Sequence, residues 1–392
     1  MANSLNFQQV AAILNDVISQ AKGAQTLAPV DYADFVNIAQ AALLQGIDPL
    51  NIGISQVIDR TIISNRPYYA KFPRMEKDSS SWGHMTRKIN FVDSDFVDDQ
   101  GYPLTDGTSI DHYVIRKPKT LQLNFYGRNI VADFVTRTED QLRTAFSGPD
   151  QFGEFISGMF QNLSDKHVQK LEAISRATLG NLITGVVTAG NTNQIVHLLT
   201  EYNAVTGITP PLTATTVYDP ANYEPFMKWV YGRIQVARDM LTERSQLFHL
   251  NVTGKEIQRH TPYGMQQLYM YAPELRQMQA RVLSAAFNED RIEYDSIELV
   301  NYWQAIDTPT SVSGTPAYMG SDGSVITAGS DVQVDDIFAV LTDVETLGVH
   351  RRIENTIPTP LNARGRYVNY WYHWVFDSFV DYTENAVIFT LD

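Results

Sequence analysis

The chain has no cysteine among its 392 residues. Disulfide frameworks, thiolate metal sites and cysteine nucleophiles are therefore excluded, and the redox compartment stays open. Long apolar runs are missing too. No stretch approaches the ~20 residues that a membrane helix needs. The opening MANSLNFQQVAAILNDVISQ lacks the basic start, apolar core and cleavage site of a signal peptide. A soluble protein made in a cytoplasm, with no membrane partner, is expected. Positive charge is scarce: 30 Lys and Arg against 44 Asp and Glu give a net charge of −14. A dedicated nucleic-acid binder carries the opposite balance, because its cations replace counterions on phosphates. Catalytic signatures are absent as well. No GxGxxG, phosphate loop, HExxH or GxSxG occurs. Thr253-Gly254-Lys255 lacks the upstream glycine of a phosphate loop, and Ser19-x-x-Lys22 stands without its companion motifs. The eight histidines show no metal-ligand spacing. Asp93-Ser94-Asp95 fails as a calcium loop, because Val97, Asp98 and Leu104 stand where such a loop wants an acid or amide, a glycine and a glutamate. These absences point away from an enzyme and predict no catalytic residue, no cofactor and no metal.

What is present describes a folded protein, with 44% apolar and 19% charged residues. The length exceeds what one core usually serves, so two or more domains are expected. The most informative stretch is NARGRYVNYWYHWVFDSFVDYTENAVIFT, from Asn362 to Thr390. It opens on a turn and continues as a long strand. Val368, Tyr370, Tyr372, Trp374 and Phe376 fall on one face, and Tyr367, Asn369, Trp371, His373, Val375 and Asp377 on the other. Each ring buries about 150–250 Å², so the strand belongs inside a sheet rather than at its edge. A break at Asp381 to Asn385 precedes a shorter strand, Ala386 to Thr390.

Upstream, Val10, Ile13, Leu14, Val17 and Ile18 give an amphipathic helix ending near Gly23, and a second helix runs from Asp31 to Leu44. Met85 to Val92 and Thr120 to Tyr126 read as the limbs of a long hairpin. Between them lie Asp93, Asp95, Asp98 and Asp99 on one side and Arg116, Lys117 and Lys119 on the other. A hairpin with so little apolar surface at its tip needs a partner to hold it. The longest helix spans about 150–184, with Phe152, Ile156, His167, Leu171 and Ile174 along one stripe and His167 expected in the core. Residues 185–219 read as short strands and a linker. A helix over Pro220 to Glu243, a strand over Leu247 to Val252, helices over Met265 to Phe287 and strands at Ser296 to Val300 and Ile337 to Leu341 make a mixed unit. Thr308 to Ser330 reads as an exposed loop.

Three stretches carry a resemblance. They are Asn362-x-Arg364-Gly365 with Tyr367, Asn369-Tyr370-Trp371-Tyr372-His373 and Asn385-Ala386-Val387; Val282-Leu283-x-x-Ala286-Phe287-Asn288 followed by the strand at Ser296 to Val300; and Ile337 to Asp343. In this order they resemble the C-terminal part of the major capsid proteins of phi-29-type podoviruses, small tailed phages of Gram-positive bacteria. The match is sharp from Val282 onward and loose before it. The resemblance implies an α+β, HK-97-like major capsid fold. It implies an N-terminal arm and the start of a peripheral domain over 1–75, an extended hairpin over 76–128, and a peripheral domain with a spine helix over 129–215. An axial domain would cover 216–345, and 346–392 would return to the peripheral sheet.

The implied function is mechanical: pentamers and hexamers closing into an icosahedral or prolate shell around double-stranded DNA, in the virion capsid, assembled in the host bacterial cytoplasm. The implied partners are further copies of the chain, a scaffolding protein, a portal protein at one vertex, and DNA held without sequence-specific contact. Asp93, Asp95, Arg116, Lys117, Arg351, Arg352, Arg364 and Arg366 become candidate intersubunit contacts, with Tyr370, Tyr372, Trp374 and Phe376 as the core strand. An immunoglobulin-like domain, which some relatives append, is not expected. An encapsulin-like compartment shares the implied fold. A carbohydrate-active enzyme with an aromatic cleft is the rival from another class.

Overall fold

The computed structural model describes residues 7–22, 32–44, 51–52, 54, 71–77, 86–92, 105–107, 109, 113, 115, 117–126, 128–280 and 297–392. Helices α1 (Phe7–Lys22) and α2 (Tyr32–Leu44) come first. Strands β1 (Glu76–Lys77), β2 (Thr86–Phe91), β3 (Thr120–Phe125) and β4 (Arg128–Thr138) follow, then α3 (Glu139–Ala145) and the long α4 (Pro149–Ala189). Strand β5 (Ile195–His197), α5 (Leu198–Thr206), α6 (Pro220–Thr242), β6 (Gln266–Tyr271), α7 (Ala272–Met278) and β7 (Ile297–Val300) continue the chain. Short strands β8 (Val312–Gly314), β9 (Ala317–Met319), β10 (Val325–Thr327) and β11 (Val332–Val334) lead to β12 (Ile337–Asp343), β13 (Leu347–Pro358), β14 (Tyr367–Val380) and β15 (Ala386–Thr390).

The chain divides into two compact units. The first takes Met1–Gly83, Gly127–Ile174 and Val349–Asp377; the second takes His84–Tyr126, Ser175–Gly348 and Ser378–Asp392. In the first, a four-stranded sheet runs β1-β13-β14-β4. Strand β14 pairs antiparallel with β4, from Tyr367 opposite Thr138 to Asp377 opposite Arg128. The period-two alternation sends Val368, Tyr370, Tyr372, Trp374 and Phe376 into one core. Val10, Leu14 and Val17 of α1, Phe35 of α2, and Phe152, Ile156 and Leu171 of α4 join them there. The amphipathic start is thus spent on this unit's own core: Leu14 and Val17 are fully buried, so α1 does not lie free as an arm.

In the second unit a five-stranded sheet runs β5-β15-β12-β6-β7. Strand β12 sits between antiparallel β15 and β6, and every residue of β12 and β15 is buried. Helices α5, α6 and α7 cover it through Leu199, Phe226, Val230, Ile234 and Leu275. The closing strand therefore belongs to this sheet and not to that of β14, which differs from the expected return of the whole 346–392 segment. The turn at Asp381 to Asn385 makes the separation. Met265 to Phe287 also differs from expectation. Gln266–Tyr271 is a strand because β12 offers it a full antiparallel register, and pairing overrides the local helical pattern. Leu247 to Val252 forms turns and isolated bridges in place of a strand. The expected loop Thr308 to Ser330 contains short strands that form the ribbons β8–β11 and β9–β10. The stretch Val282 to Asn288 lies outside the described residues.

Candidate contact surface

The core strand contributes no accessible chemistry. Tyr370, Tyr372, Trp374 and Phe376 are all buried, and the Tyr370 hydroxyl donates to Asn51 Oδ1 at 2.7 Å. His167 of α4 stacks on two rings of that face, 5.3 Å from Trp374 and 5.4 Å from Phe376. Burial, with a smaller push from the Arg351 guanidinium against the pull of Glu76, lowers its pKa from 6.5 to about 4. It is a neutral core histidine, as its place in the apolar stripe predicts. On the opposite face of the sheet, Phe134 and Trp371 are tilted together at 4.7 Å, and Ile130 and Phe134 remain exposed.

The candidate contact residues separate into three groups. Two arginines are engaged within their own unit. Arg351 Nη2 on β13 reaches both carboxylate oxygens of Glu76 on β1, at 2.8 and 3.0 Å. Arg366 Nε meets Glu139 Oε2 at 2.9 Å, while Arg143 takes Oε1 at 2.7 Å. Hydrogen bonds from Arg366 first, then Arg143, hold the Glu139 carboxyl below its ordinary value. The same turn puts Arg366 at φ +48°, and its carbonyl accepts the Glu139 N–H at 2.9 Å. Two residues are exposed: Lys117 on the hairpin, and Arg364, whose backbone is held by Asn362 Oδ1 at 3.1 Å. Asp93, Asp95 and Arg116 lie outside the described residues, as does the Arg352 side chain.

The hairpin shows what charge alone did not. Thr86 pairs with Phe125 and Phe91 with Thr120. One face, with Leu121 and Leu123, packs on Val252, Ile257 and Met319 of its own unit. The base of the hairpin is therefore footed on its own chain, contrary to the expectation that it lacks such support. Further apolar side chains remain uncovered. Ile89 is 53% exposed, Phe91 73%, Tyr113 86%, Ile115 83% and Tyr126 73%. Strand periodicity at Arg87, Ile89 and Phe91 could have revealed this second face. Among the described residues no group of acids and histidines could hold a metal ion.

A family model described as Phi29-like phage major capsid protein matches residues 10–390. No curated protein matches the chain in sequence. Among solved structures, the chain is similar to one in the capsid structure of Staphylococcus phage Andhra, with 12% identity and a TM-score of 0.57, covering 85% of this chain and 87% of that one. It is also similar to a chain in a structure of native bacteriophage P68 that describes the head fiber and inner core protein, with 12% identity, a TM-score of 0.53 and the same two coverages, 85% and 87%.

Proposed function

The chain belongs to the family of phi29-like phage major capsid proteins, and on that footing we propose how it builds its shell. Family membership makes it a non-enzymatic component of the virion that forms the head shell of a tailed phage, with an HK-97-like α+β fold. The compartment and carbohydrate-enzyme alternatives fall with that match. The finer reading is that copies gather as pentamers and hexamers and close into an icosahedral or prolate shell. Closed symmetry repeats each small contact many times, so modest surfaces suffice.

The observation that carries this reading is the exposed apolar set on the hairpin, Ile89, Phe91, Tyr113, Ile115 and Tyr126. Several large apolar side chains left open on one element of a subunit mark an interaction site, and in a self-assembling shell their occupant is a second copy. The exposed Lys117 and Arg364, with Asp93, Asp95, Arg116 and Arg352, are the polar contacts assigned to that interface. Arg351 and Arg366 serve it by stiffening their own unit. We assign 76–128 as the extended hairpin, the first unit, with α4 as far as Ile174 and β14 as far as Asp377, as the peripheral domain, and the β12-centred unit as the axial domain. A scaffolding protein assists closure, and a portal protein occupies one vertex. The net charge of −14 suits a container that holds double-stranded DNA without sequence-specific contact.

Negative-stain microscopy of the purified protein, alone and with a scaffolding protein from the same phage, tests the reading. Closed shells with five- and six-fold clusters are expected. Dispersed monomers under both conditions would overturn it.

A further inference from the structure

Lys88 stands at the middle of β2, on the face of the hairpin that meets its own unit. Its Nζ lies 3.0 Å from Glu345 Oε2, 2.9 Å from Asp381 Oδ2 and 2.5 Å from Glu384 Oε1. Asp381 and Glu384 are almost wholly buried, with side-chain exposures of 0% and 7%, while Glu345 reaches solvent at 54%. A second cation, Arg259, meets Glu384 Oε1 at 2.9 Å and donates through Nε to the Thr383 carbonyl at 2.9 Å. The cluster thus sets three carboxylates against two cations, and one of those cations arrives on the hairpin. The Asp381 Oδ1 atom is already occupied by the Thr383 N–H and hydroxyl, so the turn that carries these acids is rigid. Burial pushes the Glu384 carboxyl up even with Lys88 and Arg259 beside it, which fits a site short of positive charge.

Most of the rest of the footing among the described residues is apolar: Leu121 and Leu123 against Val252, Ile257 and Met319, and Phe125 against Phe379 at 5.1 Å, with one long contact from Lys119 Nζ to the Gly254 carbonyl at 3.5 Å. Apolar contact is non-directional. It holds the hairpin down but does not set its angle or register. An ammonium gripped by three acceptors at fixed distances does. A two-stranded ribbon is marginal by itself, so the direction in which its far end projects is set where it is anchored.

We propose that Lys88 is the positioning residue that docks the β2–β3 hairpin on its own subunit, and so fixes where the hairpin's exposed apolar residues meet the next copy. Without Lys88, Glu384 keeps Arg259 while Asp381 keeps only the Thr383 N–H and hydroxyl on Oδ1, and breaking a buried ion pair from one side is strongly destabilising. Loss of the three-acceptor grip frees the hairpin's register whether or not the acids stay charged, and where both remain charged, undocking also lets water reach them. The docking itself does not depend on the capsid reading; its consequence for the shell rests on that reading.

Hydrogen–deuterium exchange of the unassembled full chain tests the docking, with Lys88→Met, Lys88→Arg and the double variant Lys88→Met/Glu384→Gln. The double variant restores the cluster's original net charge and keeps the test decisive if Lys88→Met fails to fold. In Lys88→Met and in the double variant, peptides over 86–91 and 120–125 should exchange at least tenfold faster. Peptides over 337–343 and 367–377 should be unchanged, and Lys88→Arg should stay within about threefold of the parent. Hairpin exchange within threefold of the parent in both Met variants would overturn the proposal, as would a rise spread evenly over the chain. Shell yield is the second readout. A loosened hairpin with shells of normal number and size would overturn the consequence for assembly alone. A parent chain that forms no shells would count against the capsid reading and leave the docking to be judged by exchange.

Discussion

Acidification should loosen the seam between α4 and β14, and His167 should account for about 2 kcal/mol of the loss by pH 4.5. The ring stacks against both Trp374 and Phe376, where burial disfavours an imidazolium. Its pKa falls from 6.5 to about 4 in the folded chain, from burial first and the Arg351 guanidinium second, with Glu76 opposing. At 1.36 kcal/mol for each pH unit, the whole gap is worth about 3 kcal/mol. Because the unfolded chain takes up the proton first, stability is complete above pH 6.5. It declines as the pH falls through the folded value near 4. His167→Phe keeps an aromatic ring in the stack and removes the proton site. The free energy of local opening of β14, read by amide exchange over 367–377 at pH 7 and pH 4.5 after correction for the intrinsic rate, should fall steeply in the parent on acidification. In His167→Phe it should change less, by about 2 kcal/mol. Equal pH dependence in the two proteins would refute the reasoning, as would an imidazole resonance titrating near 6.5.

Three further outcomes follow from packing. Gly185 of α4 faces Tyr382, whose Cζ would lie 2.8 Å from an added Cβ. Gly185→Ala should therefore lower stability by about 1–3 kcal/mol from overpacking, despite alanine's better helix propensity, seen as a lower thermal midpoint. Trp374→Ala should cost about 3–5 kcal/mol, as large-to-small changes of buried aromatic residues do, and should raise exchange throughout the β14–β4 pairing. Tyr370→Phe leaves Asn51 without the hydroxyl that donates to it and should cost about 1–2 kcal/mol in denaturant unfolding, with the sheet otherwise intact.

Much of the first unit was legible because its signals are local. The alternation of β14 and the stripe of α4 put Trp374, Phe376 and His167 each on an apolar face, and the structure adds that these faces meet. Strands β4 and β13 escaped notice for a physical reason. Asp133 and Arg137 interrupt the apolar face of β4, and His350, Arg351, Arg352 and Glu354 crowd the middle of β13, so neither shows a clean period of two. Strand β6 was masked by a run, Gln266 to Tyr271, whose composition suits a helix equally well until β12 supplies a partner. The ion pairs could not be read at all. Arg366 and Glu139 are 227 residues apart, and Lys88 and Glu384 are 296 apart. Residue type announces a charge but not its partner, which is why candidate contacts chosen by charge included two arginines already engaged within their own unit.

The central claim is that this subunit is completed by its neighbours, with the uncovered apolar residues of the hairpin as the joint. Cryo-electron microscopy of assembled particles measures this most directly. A closed shell is expected in which Phe91, Tyr113 and Ile115 are buried against an adjacent copy. A shell in which those side chains face solvent, with subunits joined elsewhere, would contradict it.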